Sequence, residues 1–271
     1  MWHGMGDTCC YSFSMGAVKN AIEQAVPGIY VYSIMIGENM VMDEAYGFIG
    51  NVNDQVASVC ETLKSDPQLA GGFNAVGFSQ GSQFLRAYVE RCNDPPVLNL
   101  ITMGGQHQGV ADIPGCTSIN ETVCSLVESA LAFGAYNPIA QDVVVQAQYY
   151  HDPMDPQAYL QYNQFLPDIN NDVSLNALYK ENLLKLKNLV LIQFEDDTVV
   201  VPKESSWFGF YADDSESVLV PMNQTRLYLE DRIGLRTLDA TGRLKFDATP
   251  GEHMQFKLSW FNEHVILPYL A

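Results

Sequence analysis

The chain has 271 residues, 47% of them hydrophobic, and a formal net charge of -18. That length and composition suit one large α/β domain or two small ones, and no run of about 18 or more apolar residues is present to span a bilayer. The negative charge would repel a phosphate backbone, so we expect no nucleic-acid partner.

Strand-like and helix-like segments alternate along most of the chain. This alternation is typical of a mainly parallel sheet with helices on both faces, so we predict the α/β class and a single domain over residues 1–271. The predicted strands are 29–34, 73–78, 97–103, 189–194 and 244–248, and the predicted helices are 52–63, 82–91 and a closing helix that carries Met254, Leu258, Phe261 and Val265.

The chain opens with Trp2-His3-Gly4-Met5-Gly6. A His-Gly loop of this kind normally follows a central strand, yet only two residues stand before His3. We therefore expect that a targeting signal and most of one strand precede the sequence.

In the run from Phe73 to Gly81, an apolar strand-like stretch leads directly to Gly-Phe-Ser-Gln-Gly, and a helical pattern follows. This order of strand, glycine-flanked serine and helix indicates the nucleophile elbow of an α/β-hydrolase. Cβ atoms at Gly77 and Gly81 would collide with neighbouring backbone in so tight a turn, and glycine removes them. The hydroxyl of Ser79 would then stand exposed near the positive end of the next helix.

Residues 110–186 interrupt the alternation with apolar stretches that are helical or irregular. An insertion between sheet strands can form a cap over the catalytic edge and line a groove for a long apolar ligand. For any one of these residues, simple packing on the sheet is an equally good interpretation.

The elbow needs an acid after a later strand, and the strand 189–194 ends in Glu195-Asp196-Asp197. We favour Asp197 over Asp196, because a small polar residue and valines follow it. Glu195 is interpreted as a surface charge.

Five histidines compete for the role of base. His253 lies in a loop between the last predicted strand and the closing helix, which fits the chain order Ser, Asp, His. We expect structural or supporting roles for the other four, which are His3, His107, His151 and His264.

These parts predict acyl transfer without a cofactor. Ser79 would attack an acyl carbonyl, His253 would carry its proton, and Asp197 would hold the imidazole in the correct tautomer. Two backbone N–H groups, those of Met5 and Gln80, are predicted to stabilise the oxyanion.

Six cysteines are present, and none forms a Cys-x-x-Cys pair or lies at metal-ligand spacing from a histidine, so we predict no zinc or other metal. An even number of cysteines, together with glycosylation sequons at Asn120 and Asn223, indicates disulfides in a secretory compartment. Buried free thiols in a cytosolic enzyme remain the alternative from these counts alone.

Five motifs together resemble the palmitoyl-protein thioesterase family, in particular its type-1 lysosomal members. The likeness runs from Trp2 to Leu270. The motifs are Trp-His-Gly-Met-Gly-Asp-x-Cys-Cys at 2–10, Gly-Phe-Ser-Gln-Gly at 77–81, Gly-Gly-Gln-His-Gln-Gly-Val at 104–110, Tyr-x-His-Asp-Pro at 149–153 and Trp-Phe-Gly-Phe-Tyr at 207–211.

The resemblance implies a soluble lysosomal glycoprotein that removes long-chain fatty acyl groups from cysteine thioesters of proteins. It places the triad on Ser79, Asp197 and His253 and the oxyanion donors on Met5 and Gln80. It also implies a lipid groove drawn from 110–186 and the surroundings of Trp207. Separately, we expect the chain to be a monomer. The implied disulfides are Cys9–Cys10, Cys60–Cys92 and Cys116–Cys124.

Two departures from the family pattern stand out. The amino-terminal strand and signal are absent from the sequence, and Asp196 stands where relatives carry a glycosylated asparagine, so no sugar is expected there.

Two other functions remain open. One is a lipase or carboxylesterase that acts on oxygen esters with the same fold. The other is a non-catalytic hydrolase-fold protein that binds lipid or a partner, although binding alone does not require an acid, a base and a nucleophile in this order.

Overall fold

The computed structural model describes residues 1–116 and 121–271. Six strands are present in this part of the chain: β1 (Phe73–Phe78), β2 (Val97–Met103), β3 (Asn188–Phe194), β4 (Phe210–Tyr211), β5 (Leu219–Val220) and β6 (Leu244–Thr249). Four of them form a parallel sheet in the order β1-β2-β3-β6, and β4 and β5 form a small antiparallel pair. The predicted parallel α/β architecture is confirmed.

The two central strands read as nearly continuous apolar runs, because helices cover both faces of a parallel sheet. The carboxyl-terminal halves of β2 and β3 are fully buried. The register places Thr102 between Gly77 of β1 and Leu191 of β3, so the strands end at one edge.

Twelve α-helices surround the sheet in the described residues. They are α1 (Met15–Ala25), α2 (Met40–Tyr46), α3 (Val52–Ser65), α4 (Gln80–Arg91), α5 (Glu121–Leu131), α6 (Pro138–Val143), α7 (Pro156–Tyr162), α8 (Leu166–Ile169), α9 (Ala177–Leu183), α10 (Arg226–Leu229), α11 (Leu235–Ala240) and α12 (Leu258–Phe261). Single 3₁₀ turns occupy Gln146–Tyr149, Lys203–Trp207 and Met222–Gln224, and a wider π-type helix continues α12 over Asn262–Leu270.

Two apolar clusters hold these layers together. One joins α3 and α4 to the sheet and to residues of the insertion, including Phe165 and Leu166. The other packs α1 and the closing helix, through Val18 and Phe261, on the opposite face. The site described below lies at the end of the sheet between these layers.

The predicted strand 29–34 is wrong, since these residues form no strand in the structure. A strand needs a partner over several residues. Here the pairing is limited to Met1, whose amino group donates to Tyr32 O and whose carbonyl accepts from Ile34 N.

The closing helix begins later than its apolar spacing predicts. Met254 lies before it, in a loop, with a φ of 61°. The helix begins at Leu258, so the apolar period of 254–265 mixes a loop residue with helical ones.

Between β2 and β3 the described residues form five helices, α5 to α9, and no strand. The three disulfides are Cys9–Cys10, Cys60–Cys92 and Cys116–Cys124, the pairs that the resemblance implies. No helix of the described chain has both the length and the apolar character needed to cross a membrane.

Candidate active site

Ser79 occupies a sharp turn between β1 and α4. Its backbone has φ 50° and ψ −125°, a conformation that non-glycine residues rarely adopt and that nucleophile elbows impose. Its N–H donates to Met103 O at 2.8 Å, which ties the turn to the end of β2. A Cβ at Gly77 would lie 2.5 Å from Ser82 Cα, and one at Gly81 2.4 Å from Trp2 O, so both flanking glycines are sterically required.

His253 connects the serine to a carboxylate. Its Nε2 lies 2.9 Å from Ser79 Oγ and its Nδ1 lies 2.7 Å from Asp197 Oδ2. The three residues follow β1, β3 and β6, and the carboxyl ends of parallel strands meet at one edge of the sheet. The structure therefore brings together all three residues named from the sequence.

Asp197 is held in place by more than the histidine. Its Oδ1 accepts hydrogen bonds from Val199 N at 3.0 Å and Val200 N at 2.9 Å, and its side chain is fully buried. These donors keep the carboxylate oriented toward His253. Its neighbours Glu195 and Asp196 are exposed, so neither shares this setting.

The imidazole of His253 packs closely on its surroundings. The ring of Phe194 approaches it edge-on, with centroids 5.8 Å apart. Gly104 lies beneath it with a φ of 61°, and a Cβ there would come within 3.0 Å of His253 Cε1. A side chain at position 104 would therefore push the imidazole away from the serine.

Gln106 contacts the serine directly, which the sequence reasoning missed. Its Nε2 donates to Ser79 Oγ at 3.2 Å and to Gly104 O at 2.9 Å. Gln83 fixes the orientation of that amide, because its Nε2 donates to Gln106 Oε1 and its Oε1 accepts from Gln106 N. Gln106 lies in the motif at 104–110, which supports the family resemblance but does not by itself indicate a contact with Ser79.

The two predicted oxyanion donors belong to segments that adjoin the serine. Gln80 is the first residue of α4, where N–H groups have no partner within the helix. The loop that carries Met5 packs against the nucleophile, since a Cβ on Gly4 would lie 2.9 Å from Ser79 Cβ. The role of these two N–H groups at the oxyanion stays a prediction.

The side chain of Gln80 links the elbow to the insertion. Its Nε2 donates to Gly47 O, and its Oε1 accepts from Tyr149 Oη at 3.0 Å and from Gln146 Nε2 at 3.2 Å. The position of the insertion is therefore coupled to the turn that holds Ser79.

A cavity of about 390 Å³ opens beside Ser79. Its volume is in the range of small-molecule sites, and most of its lining is apolar. Of the insertion, Val110, Pro114 and Tyr149 line it, whereas Trp207 instead packs on Phe246 and donates to Leu191 O. The remaining apolar lining comes largely from two segments that the sequence reasoning did not assign to the site: Phe13, Met15, Ala17 and Val18 around α1, and Met254, Phe256 and Leu258 after the histidine.

The other four histidines contact groups outside the Ser79–His253–Asp197 relay. Burial and the nearby Arg86 hold the pKa of His107 well below its usual value, and its ring stacks on Phe208. Burial lowers the pKa of His151 to about 4, and its ring lies between Tyr159 and Phe210. His264 binds Asp247 at 2.7 Å, and His3 binds Asp43.

The described residues contain no group of three or more His, Cys, Asp or Glu side chains arranged to hold a metal ion. A parallel sheet with a serine on a strained strand-to-helix turn defines a hydrolase of the α/β-hydrolase fold.

Comparison with known proteins narrows this class. The sequence profile of the palmitoyl protein thioesterase family matches residues 1–253, and the chain belongs to that family. It is therefore a thioesterase.

The chain is 49% identical over 269 residues to palmitoyl-protein thioesterase 1 of Caenorhabditis elegans, covering 99% of this chain and 90% of the relative. It is 37% identical over 262 residues to palmitoyl-protein thioesterase 3 of Dictyostelium discoideum, covering 95% and 87%. It is 30% identical over 249 residues to the human lysosomal thioesterase PPT2, covering 89% and 76%.

Proposed function

We propose that this chain hydrolyses long-chain fatty acyl thioesters on protein cysteines through an acyl-enzyme on Ser79. The observation that carries the proposal is a hydrogen-bonded Ser79–His253–Asp197 relay, at 2.9 and 2.7 Å, that opens onto a largely apolar cavity. The names of the relatives given above support the same substrate class.

The reaction proceeds in two balanced steps. Ser79 Oγ attacks the thioester carbonyl as His253 Nε2 takes its proton, and the N–H groups of Met5 and Gln80 stabilise the oxyanion. The C–S bond breaks, and His253 returns the proton to the leaving cysteine sulfur. Water activated by His253 then attacks the acyl-serine ester, which releases the fatty acid and regenerates Ser79.

The chemistry suits a thioester. A thiol with an ordinary pKa of about 8.5 leaves far more readily than an alcohol or an amide nitrogen. Recognition of the acyl group then rests on apolar burial, worth roughly 0.8 kcal/mol for each methylene.

Buried residues and exposed residues both line the cavity. Met15, Val18 and Phe78 are buried at 2%, 5% and 4% exposure, whereas Phe13 and Leu258 are exposed at 80% and 42%. We therefore place the acyl chain between α1 and residues 254–258, with the carbonyl at Ser79.

A chain-length series tests the proposed function. We expect kcat/KM for thioesters to rise from acetyl to palmitoyl, because each added methylene enters the cavity. The matched palmitoyl oxygen ester should be cleaved more slowly, and comparison of the two substrates on one purified sample measures this difference. A flat profile, or faster cleavage of the oxygen ester, would favour the lipase or carboxylesterase alternative.

The placement of the chain makes a second prediction. Val18→Phe should shorten the preferred acyl chain, because Val18 is a buried residue of the lining and the larger ring takes up part of the cavity. We expect palmitoyl turnover to fall about tenfold or more, which is the loss of roughly two buried methylenes, while short-chain turnover is retained. Asn20→Phe is the matched control, since Asn20 is exposed on the same helix and does not line the cavity. An unchanged chain-length profile in Val18→Phe would place the acyl chain elsewhere.

We extend the proposal to the cellular setting. Three disulfides and the lysosomal relative support a lysosomal protein reached through the secretory pathway. In this proposal the chain is a glycoprotein that acts as a monomer on acylated proteins in degradation. Asn223 is exposed and accessible to a glycan, whereas Asn120 lies outside the described residues. Mass spectrometry of the protein from a secretory host tests both positions.

A further inference from the structure

His3 lies in the loop that carries Met5, with both ring nitrogens engaged. Its Nδ1 is 2.8 Å from Gly4 O, and its Nε2 is 3.0 Å from Asp43 Oδ1. The residue is only 3% exposed, so water does not replace either contact.

Both partners of the ring are acceptors. A carbonyl oxygen has no proton to give, so Nδ1 must donate to Gly4. At Nε2, the proton lies either on the ring or on Asp43. Asp43 also accepts from Cys9 N at 2.8 Å and Ile36 N at 2.6 Å, and such donors favour the ionised carboxylate. The proton therefore resides on Nε2, so both ring nitrogens of His3 are protonated.

The electrostatic balance agrees with the geometry. Burial alone lowers the pKa of His3, but the hydrogen bond and the charge of Asp43 outweigh it, and Gly4 O and Asp7 add to the effect. The net result is a raised pKa. The first turn of α4, residues 80–83, which packs on the His3 carbonyl, contains no ionisable side chain.

The bond from Nδ1 reaches the reaction centre through one peptide group. The carbonyl of Gly4 and the N–H of Met5 belong to the same planar trans peptide, so they point in opposite directions. Fixing the carbonyl toward His3 fixes the N–H on the opposite side. Because Gly4 packs directly on Ser79, a rotation of this plane would move the Met5 N–H relative to the serine.

We propose that His3 is held as the imidazolium cation and acts as a positioning residue, orienting the Gly4–Met5 peptide so that the Met5 N–H serves the oxyanion. The inference rests on the proposed function, because it assigns Met5 a role in the thioester reaction.

Two substitutions distinguish the contribution of the Nδ1 hydrogen bond from that of the Nε2 hydrogen bond. The side-chain amide nitrogen of asparagine falls near Nδ1, whereas that of glutamine falls near Nε2. His3→Asn retains the donor to Gly4 O and should keep kcat within about tenfold of wild type. His3→Gln retains only the contact to Asp43 and should lose about 100-fold or more in kcat, the range for loss of one oxyanion donor, with little change in KM.

The pH profile distinguishes positioning from simple packing. In the wild type, kcat should fall at alkaline pH as the imidazolium loses its Nδ1 proton and with it the bond to Gly4 O, because the remaining proton stays on Nε2, which faces the Asp43 carboxylate. That alkaline limb should be absent in His3→Asn, which does not titrate. Equal losses in the two variants, or an alkaline limb that persists in His3→Asn, would overturn the proposal.

A third measurement requires no variant and does not depend on activity. In wild-type protein labelled with ¹⁵N-histidine, NMR should show both ring nitrogens of His3 protonated at neutral pH. A neutral tautomer would overturn the inference even if the variants fail to fold. An inactive wild type with a protonated His3 would instead contradict the proposed function alone.

Discussion

Replacing Ser79 with alanine is expected to lower kcat for a palmitoyl thioester by about 10⁶-fold, the effect known for loss of the nucleophile in a serine hydrolase. The reason is chemical, because no other hydroxyl is hydrogen-bonded to His253 in the described structure. Steady-state kinetics on the purified variant measures the loss.

A serine-directed fluorophosphonate gives an independent readout of the same position. It should label the wild type and fail to label Ser79→Ala. Ser65→Ala is the control, because Ser65 is exposed at the end of α3 and its hydroxyl donates to Thr62 O in its own helix. Labelling of Ser79→Ala, or more than about a thousandth of wild-type turnover, would show that another nucleophile acts.

The second large effect concerns the acid. Asp197→Asn should lower kcat about 10⁴-fold at neutral pH, because the amide no longer holds His253 in the tautomer that accepts the serine proton. The variant preserves the shape of the residue, and its remaining oxygen can still accept from Val199 N and Val200 N. The expected loss is therefore chemical rather than a loss of folding.

Asp196→Ala is the matched control for that variant. Asp196 precedes Asp197 in the same loop but is exposed, so its removal should leave kcat within about twofold of wild type. Thermal unfolding should give similar midpoints for all three proteins. A larger loss in Asp196→Ala than in Asp197→Asn would reverse the assignment of the acid.

The relay could be predicted because its members obey simple local rules. Each follows a strand of the parallel sheet, and the glycine-flanked serine fixes the first position. The choice of Asp197 over Asp196 needed only the sequence of one loop.

Other features depend on tertiary contacts that no local pattern contains. The apolar run 29–34 has strand character but lacks a partner along its length. Gln106 reaches Ser79 only because Gln83 holds its amide from another element. Likewise, α1 lines the cavity through long-range packing, which no pattern within α1 itself indicates.

The separation of the three reactive groups along the chain determines how destabilising substitutions affect the activity. Ser79 and His253 are 174 positions apart, and they meet only once four strands have assembled. A partly folded chain therefore has no activity at all, and only completely folded molecules contribute to the measured turnover. Substitutions in the core, far from the serine, should lower the amount of folded protein in the cell, because quality control degrades the unfolded molecules. The kcat of the remaining folded molecules should be unchanged.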